Sequence, residues 1–310
     1  MNEFELIAQL TKALPTNASV VAGPGDDCAV LDMGWPEGWT LLKTDAVVSG
    51  VHFGPEAAPE QVGHKALGRC LSDIAAMGGA ATAAVVTVGL PKDFDVAFIK
   101  NVYAGMSVLA HRHGVAIVGG ETTTNLERFW LSVAAVGQVA RDRCVRRSGA
   151  KPGDALFVTG ELGGSLAGKH LAFEPRLAEG QWLAAQGFAH AMIDVSDGLV
   201  GDLRHILQRS GVGAEILARA IPISRAAKLK AKSESAAKPP LLAALTDGED
   251  FELLFAVASR DAVTLLDRWK EQFPSVRLSC IGKITAAPGL KIRDDKGVRM
   301  LEAHGYVHFA

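Results

Sequence analysis

Carboxylates recur along this chain beside glycines or hydroxyls, at the edges of short apolar runs. In Gly23-Pro24-Gly25-Asp26-Asp27-Cys28-Ala29-Val30-Leu31 two glycines and a proline bend the backbone, two adjacent acids follow, and an apolar run begins. The device returns at Thr44-Asp45, Ser72-Asp73, Gly119-Gly120-Glu121, Asp194-Val195-Ser196-Asp197-Gly198 and Asp247-Gly248-Glu249-Asp250. Adjacent carboxylates repel unless cations or hydrogen-bond donors offset them. One such stretch alone is as readily a solvated turn as a site. Repeated along the chain, they make a distributed set of hard oxygen ligands, the kind that holds magnesium against phosphates.

Other motifs carry both a structural and a functional reading. Arg141-Asp142-Arg143-Cys144-Val145-Arg146-Arg147 is the one cationic cluster, readable as a solvated linker or as a phosphate clamp. Gly163 to Lys169 fits G-x-x-x-x-G-K after a strand, but His170 stands where a phosphate loop needs Ser or Thr. The match is read as chance, with the glycines serving a tight turn. Lys65, Arg69 and Asp73 fall at successive i, i+4 positions, either a surface ion-pair ladder or part of a site. Ser196 and Asp197 precede a helical stripe, Leu199, Leu203, Ile206 and Leu207, where one of them is expected to cap the helix.

The elements that must position these groups follow from apolar periodicity. Helices are predicted over 3–13, 59–77, 94–113, from Leu199 onward, and around 259–272. Strands are predicted over Cys28–Leu31, Trp39–Asp45 with a continuation to Phe53, Ala83–Leu90, Val115–Val118, Trp130–Val139, Ala155–Thr159, Phe251–Val257 and around 276–284. Residues 226–240 read as an exposed, variable segment, and a tail ends the chain. Strands alternating with long helices argue for an α/β or α+β layered fold. The turn Lys151-Pro152-Gly153-Asp154 marks a boundary between residues 1–149 and 150–310.

Composition narrows the function class. The 310 residues are 48% hydrophobic and 21% charged with a net charge of −2, which suits a globular protein and gives no footprint for nucleic acid. Cys28, Cys70, Cys144 and Cys280 lie far apart, without metal-ligand spacing, as reduced thiols of the cytoplasm do. No apolar run approaches the ~20 residues of a membrane span, and no signal-peptide pattern opens the sequence. A cytoplasmic protein is expected.

Taken in order, these motifs, with Gly50-Val51-His52-Phe53, Leu71-Ser72-Asp73-Ile74-Ala75-Ala76-Met77-Gly78, Arg147-Ser148-Gly149-Ala150-Lys151-Pro152-Gly153-Asp154 and Gly305-Tyr306-Val307-His308-Phe309, resemble the thiamine-monophosphate kinase family. That family belongs to the ATP-binding superfamily of aminoimidazole ribonucleotide synthetase. The resemblance covers nearly the whole chain. It implies an N-terminal ATP- and magnesium-binding domain that pairs across a homodimer into a sheet barrel, and a C-terminal α/β domain. It implies direct in-line transfer from ATP to thiamine monophosphate, with several magnesium ions on Asp27, Thr44, Asp45, Asp73, Glu121, Asp194 and Asp197. It places ATP at Tyr103, Gly120, Arg147 and Ser196, and the thiamine substrate at His52, Glu249 or Asp250, and Tyr306. The acceptor phosphate is itself a nucleophile, so no general base is assigned.

The chain departs from the family in having Glu121 for the usual Asp, Lys43 for the usual Ser, and a shorter stretch between Lys169 and Arg176. A non-catalytic ATP-binding paralogue, or an aminoimidazole ribonucleotide synthetase acting on another acceptor, is the alternative. Selenophosphate synthetase is disfavoured because residues 1–22 contain no Cys, and the hydrogenase maturation factor because the chain ends Phe309-Ala310.

Overall fold

A computed structural model of the chain describes residues 3–303, 305 and 306. The expected ending Val307-His308-Phe309 lies outside the described residues. The chain divides into two compact units: one built from residues 19–144 and 168–181, the other from residues 145–167, those from 182 onward, and the N-terminal residues up to Ala18.

In the first unit, period-two burial makes the sheet. Leu131, Val133, Ala135 and Val139 are buried along β6 (Trp130–Ala140), alternating with half-buried neighbours. β6 pairs antiparallel with β3 (Gly38–Val48) and β4 (Ala80–Leu90), and β4 pairs parallel with β5 (Ala116–Thr124). With β1 (Val20–Ala22) and β2 (Ala29–Leu31) the order is β1-β2-β3-β6-β4-β5. Gly120 is required where β5 meets β4, because a Cβ there would lie 1.8 Å from the Val86 carbonyl oxygen. The helix α2 (Pro59–Ala76) packs on β3 and β6 with Val62, Leu67, Cys70, Leu71 and Ile74 buried. α3 (Val96–His113) packs on α2, and Gly63 and Gly105 let the two backbones approach. A Cβ on either would come within 1.9 Å of a carbonyl of the other helix, Val102 or Glu60. Residues 169–176 hold the short helix α4 (Lys169–Ala172). The next helix, α5 (Leu177–Ala185), contains the division between the units.

The second unit, which also holds α1 (Glu3–Thr11), carries a seven-stranded sheet. Its strands are β7 (Ala155–Thr159), β8 (Ala189–Asp194), β9 (Gly213–Leu217), β10 (Leu253–Val257), β11 (Leu278–Thr285), β12 (Gly289–Asp294) and β13 (Gly297–Met300). They run in the order β13-β12-β9-β11-β7-β10-β8, antiparallel except for β9 beside β12. β7 and β10 are buried at every position, so they read as continuous apolar runs. The amphipathic helix α6 (Leu199–Ser210) packs its stripe into this core, next to α8 (Pro240–Thr246). Trp182, Trp269 and Phe273 of this unit cluster near α9 (Ala262–Gln272), their ring centroids 4.8–5.9 Å apart.

The layered α+β class expected from the sequence is the class observed. Two local expectations fail, and a third needs an addition. The segment 226–240 is largely exposed, as expected, but α7 (Arg225–Ser233) fills half of it, started by Ser224, whose hydroxyl accepts from the Ala227 N–H at 3.0 Å. The expected tail contains the hairpin β12–β13. The continuation of β3 stops at Val48, and the chain turns there.

Candidate functional site: carboxylate clusters in both units

The Asp26-Asp27 turn is held against the end of α2, where the Cys28 N–H meets Met77 Sδ at 3.1 Å. Asp27 is thereby 2% exposed and Asp73, on α2, 6% exposed. A carboxylate oxygen of each lies within 4.8 Å of the other. On β3, Leu41, Lys43, Asp45 and Val47 share the face toward α2, because alternate residues do. Two cations meet the acids there. Lys43 Nζ is 2.9 Å from Asp73 Oδ1, and Arg69 Nε is 2.9 Å from Asp45 Oδ2. Asp45 Oδ1 accepts the Ala46 N–H at 2.8 Å.

The i, i+4 residues of α2 are therefore no surface ladder. Arg69 and Asp73 pair with β3, and Lys65, fully buried, donates to the His52 carbonyl. Burial alone would lower Lys43, but Asp73 and then Asp45 override it and hold the ammonium above the usual lysine range. Burial pushes Asp45 up, yet Arg69 and Lys43 together hold it below its ordinary value. The buried thiols Cys28 and Cys70 are driven up, chiefly by burial, and also by Asp73 beside Cys28 and Asp45 beside Cys70; both stay protonated and inert.

Other expected residues of this unit stand apart from the pair. Thr44 lies on the opposite face of β3 from Asp45, exposed, its hydroxyl 3.2 Å from Ser132 Oγ. Glu121 is exposed on β5 in register with Thr87, and Gly120 with Val86. Tyr103 is half-buried on α3, its phenol raised by burial. His52 lies in the turn after β3, where its Nδ1 accepts the Val48 N–H at 3.0 Å, so the neutral ring carries its proton on Nε2.

In the second unit, β8 ends on Asp194, 3% exposed. Ser196 and Asp197 follow, but neither caps α6: the N-cap is Gly198, at φ 95°, with no side-chain cap. Only glycine suits that left-handed position between an acidic turn and a helix. Asp202, one turn into α6, reaches back so that its Oδ2 accepts the Asp197 N–H at 3.0 Å. Asp202 is 2% exposed, and burial, then Asp197 and Asp194, push its carboxyl well up, with Arg147 and the Asp197 amide opposing. Sequence reading missed Asp202; an acid in the first turn after D-x-S-D-G is the signal that could have found it.

The loop before β10 is stitched to the same place. The Glu249 N–H donates to the Ser196 carbonyl at 2.7 Å, and the Phe251 N–H to the Val195 carbonyl at 2.8 Å. Glu249 and Phe251 take φ of 64° and 51°, a left-handed conformation that side chains resist and that marks functional loops. Asp250, fully buried, accepts the Gly163 N–H at 2.8 Å, and Asp247 accepts the Gly164 N–H at 3.1 Å. The start of the G-x-x-x-x-G-K stretch thus has its Gly163 and Gly164 amides committed to carboxylates rather than open to a phosphate. Tyr306, half exposed, donates its N–H to the Asp197 carbonyl at 2.8 Å. Asp194, Ser196, Asp197, Glu249, Asp250 and Tyr306 are thus joined by short backbone links. Of the cationic cluster, Arg141 pairs with Asp32 at 2.9 Å, while Arg147 lies near enough to Asp202 to act on it.

Asp27 and Asp73 bring buried carboxylate oxygens close enough to repel one another, and such a pair suits a hard divalent ion. Among the described residues, no helix is long and apolar enough to cross a membrane.

Family models described as AIR synthase related protein match residues 25–139 (N-terminal domain) and 151–295 (C-terminal domain). The chain is 38% identical over 310 residues to the thiamine-monophosphate kinase of Rhodopirellula baltica, with 96% of this chain and 93% of that protein covered. It is 36% identical over 333 residues to that of Escherichia coli K12, with 99% and 98% covered. A solved structure named AaThiL complexed with AMPPCP and TMP matches with a TM-score of 0.83 at 32% identity, covering 99% of this chain and 97% of that one. A chain of a HypE–HypF complex, at 20% identity and a TM-score of 0.77, shares the fold alone. Identity of this order over nearly the full length of such relatives settles the family: the chain belongs to the thiamine-monophosphate kinases.

Proposed function

We propose that this protein transfers the terminal phosphoryl group of ATP to the phosphate of thiamine monophosphate, giving ADP and thiamine diphosphate, in the cytoplasm. The observation that carries this reading is the buried pair Asp27–Asp73 in a chain of this family. Donor and acceptor are both anionic, and magnesium supplies the charge neutralisation that lets them approach. Asp27, Asp45, Asp73, Asp194 and Asp197 would hold ions, and Thr44 and Glu121, exposed on the other face of the first sheet, would hold one there. Tyr103, Gly120, Arg147 and Ser196 bind and orient ATP. His52, Glu249, Asp250 and Tyr306 hold the thiamine substrate, whose cationic ring favours acidic and aromatic neighbours. The acceptor phosphate attacks as it stands, so no side chain needs to take a proton from it.

Residues 1–149 serve ATP, magnesium and dimerisation, and residues 150–310 form the C-terminal α/β domain, with the exchange that residues up to Ala18 belong to the second compact unit and residues 168–181 to the first. The homodimer is supported by the open face of the first sheet, which leaves Leu42, Val85 and Val118 between 41% and 65% exposed.

Calorimetric titration of thiamine monophosphate into protein saturated with AMPPCP and magnesium tests this reading. Saturable binding that weakens when magnesium is omitted is expected. Nucleotide binding without any binding of thiamine monophosphate would instead favour the non-catalytic paralogue or another acceptor.

A further inference from the structure

Lys43 stands inside a carboxylate set that otherwise suits metal ions. Its ammonium is on Asp73 Oδ1 at 2.9 Å, its side chain is 24% exposed, and Asp73 has an oxygen within 4.8 Å of one of Asp27. Arg69 similarly occupies Asp45. Within this unit Asp73 and Asp45 each carry a fixed cation, Lys43 and Arg69. A magnesium ion sits about 2.0–2.1 Å from its oxygens. An ion on Asp73 Oδ1 would therefore be driven hard against the ammonium already there. Attraction for a divalent ion is correspondingly weakened, since each fixed positive charge makes the local potential less negative.

We propose that Lys43 is a resident cation of the Asp27–Asp73 cluster, taking the place of one divalent ion. This inference rests on reading the clusters as magnesium sites. The chain then recruits one ion fewer at this cluster, and the acids stay partly neutralised when metal is absent. Covalent attachment fixes the charge in place, whereas a metal ion must be bound from solution. The difference also shows in the dependence of rate on magnesium, which becomes steeper when the lysine is lost.

The test counts metal directly. Manganese(II) is titrated into the full-length protein, with and without AMPPCP, and free ion is read by its paramagnetic resonance signal. Lys43→Met, nearly the same length and uncharged, is expected to bind one more ion per chain than the wild type, or to bind at one site at least tenfold tighter. Lys43→Arg is expected to keep the wild-type number. Equal stoichiometry and affinity in the wild type and Lys43→Met overturns the proposal. If neither binds manganese, the magnesium reading itself falls, and the role of Lys43 with it. Should Lys43→Met fail to fold, the unaltered protein answers. With 15N-labelled lysine, the Lys43 Nζ resonance is expected to keep its shift and slow exchange at saturating magnesium. Its collapse into the signal of solvated lysines overturns the proposal. None of these readouts requires turnover, so a failure with thiamine monophosphate as substrate is separable from a failure here.

Discussion

At the scale of single residues, the two clusters answer the same electrostatic problem differently. In the first unit, Lys43 and Arg69 balance Asp73 and Asp45. In the second, Asp202 is buried beside Asp194 and Asp197, and its carboxyl is raised by burial and by both acids. The sign of the consequence follows. An acid raised in the folded state contributes stability that is full below its unfolded value of about 3.9 and is lost as pH rises through the raised value. Metal-free protein should therefore lose stability on going from pH 5 to pH 8. Asp202→Asn, which keeps an oxygen for the Asp197 N–H, should melt higher than the wild type at pH 8 in chelator. At pH 5 the gap should shrink. Melting curves with and without magnesium check this, and a variant less stable than the wild type at pH 8 would contradict it. Asp197→Asn should lower kcat by about 10²–10³, the usual scale for losing one electrostatic stabiliser, with a melting temperature no lower than that of the wild type, since it also removes repulsion on Asp202. Full activity in that variant would remove Asp197 from the metal set.

At the scale of elements, backbone approach decides as much as side-chain chemistry. Gly63 and Gly105 seat α2 on α3, and Gly120 seats β5 on β4. Since a Cβ at Gly105 would overlap the Glu60 carbonyl, Gly105→Ala should destabilise by about 2–4 kcal/mol through helix separation. Urea denaturation reads this; a loss under ~0.5 kcal/mol, the range of ordinary surface changes, would mean that the helices slide at little cost. Strands with clean alternation or unbroken apolar runs, β6, β7 and β10, were legible in the sequence for the same reason that they are stable: their burial is their pattern. The hairpin β12–β13 was not, because β13 is exposed at every position and carries no apolar period. The helix α7 was hidden by its lysines and serines, and is fixed by the Ser224 cap rather than by a buried stripe. The acids were legible by their glycines and hydroxyls. Their partners were not, because the pairing of Arg69 with Asp45 and the face of Thr44 depend on the register between distant segments.

At the scale of the whole molecule, the proposed metal-dependent phosphoryl transfer falls to a two-unit chain whose first sheet leaves apolar residues exposed. If that sheet face closes a homodimer, Leu42→Asp combined with Val85→Asp should yield monomers by light scattering, while the wild type is a dimer. A wild-type monomer at micromolar concentration would contradict the pairing. The measurement that bears most directly on the central claim is a turnover assay with purified protein, ATP, magnesium and thiamine monophosphate, reading ADP and thiamine diphosphate by chromatography. Equimolar ADP and thiamine diphosphate are expected, abolished by omitting ATP or by chelating magnesium. Tight binding of ATP and magnesium with no thiamine diphosphate formed would contradict it.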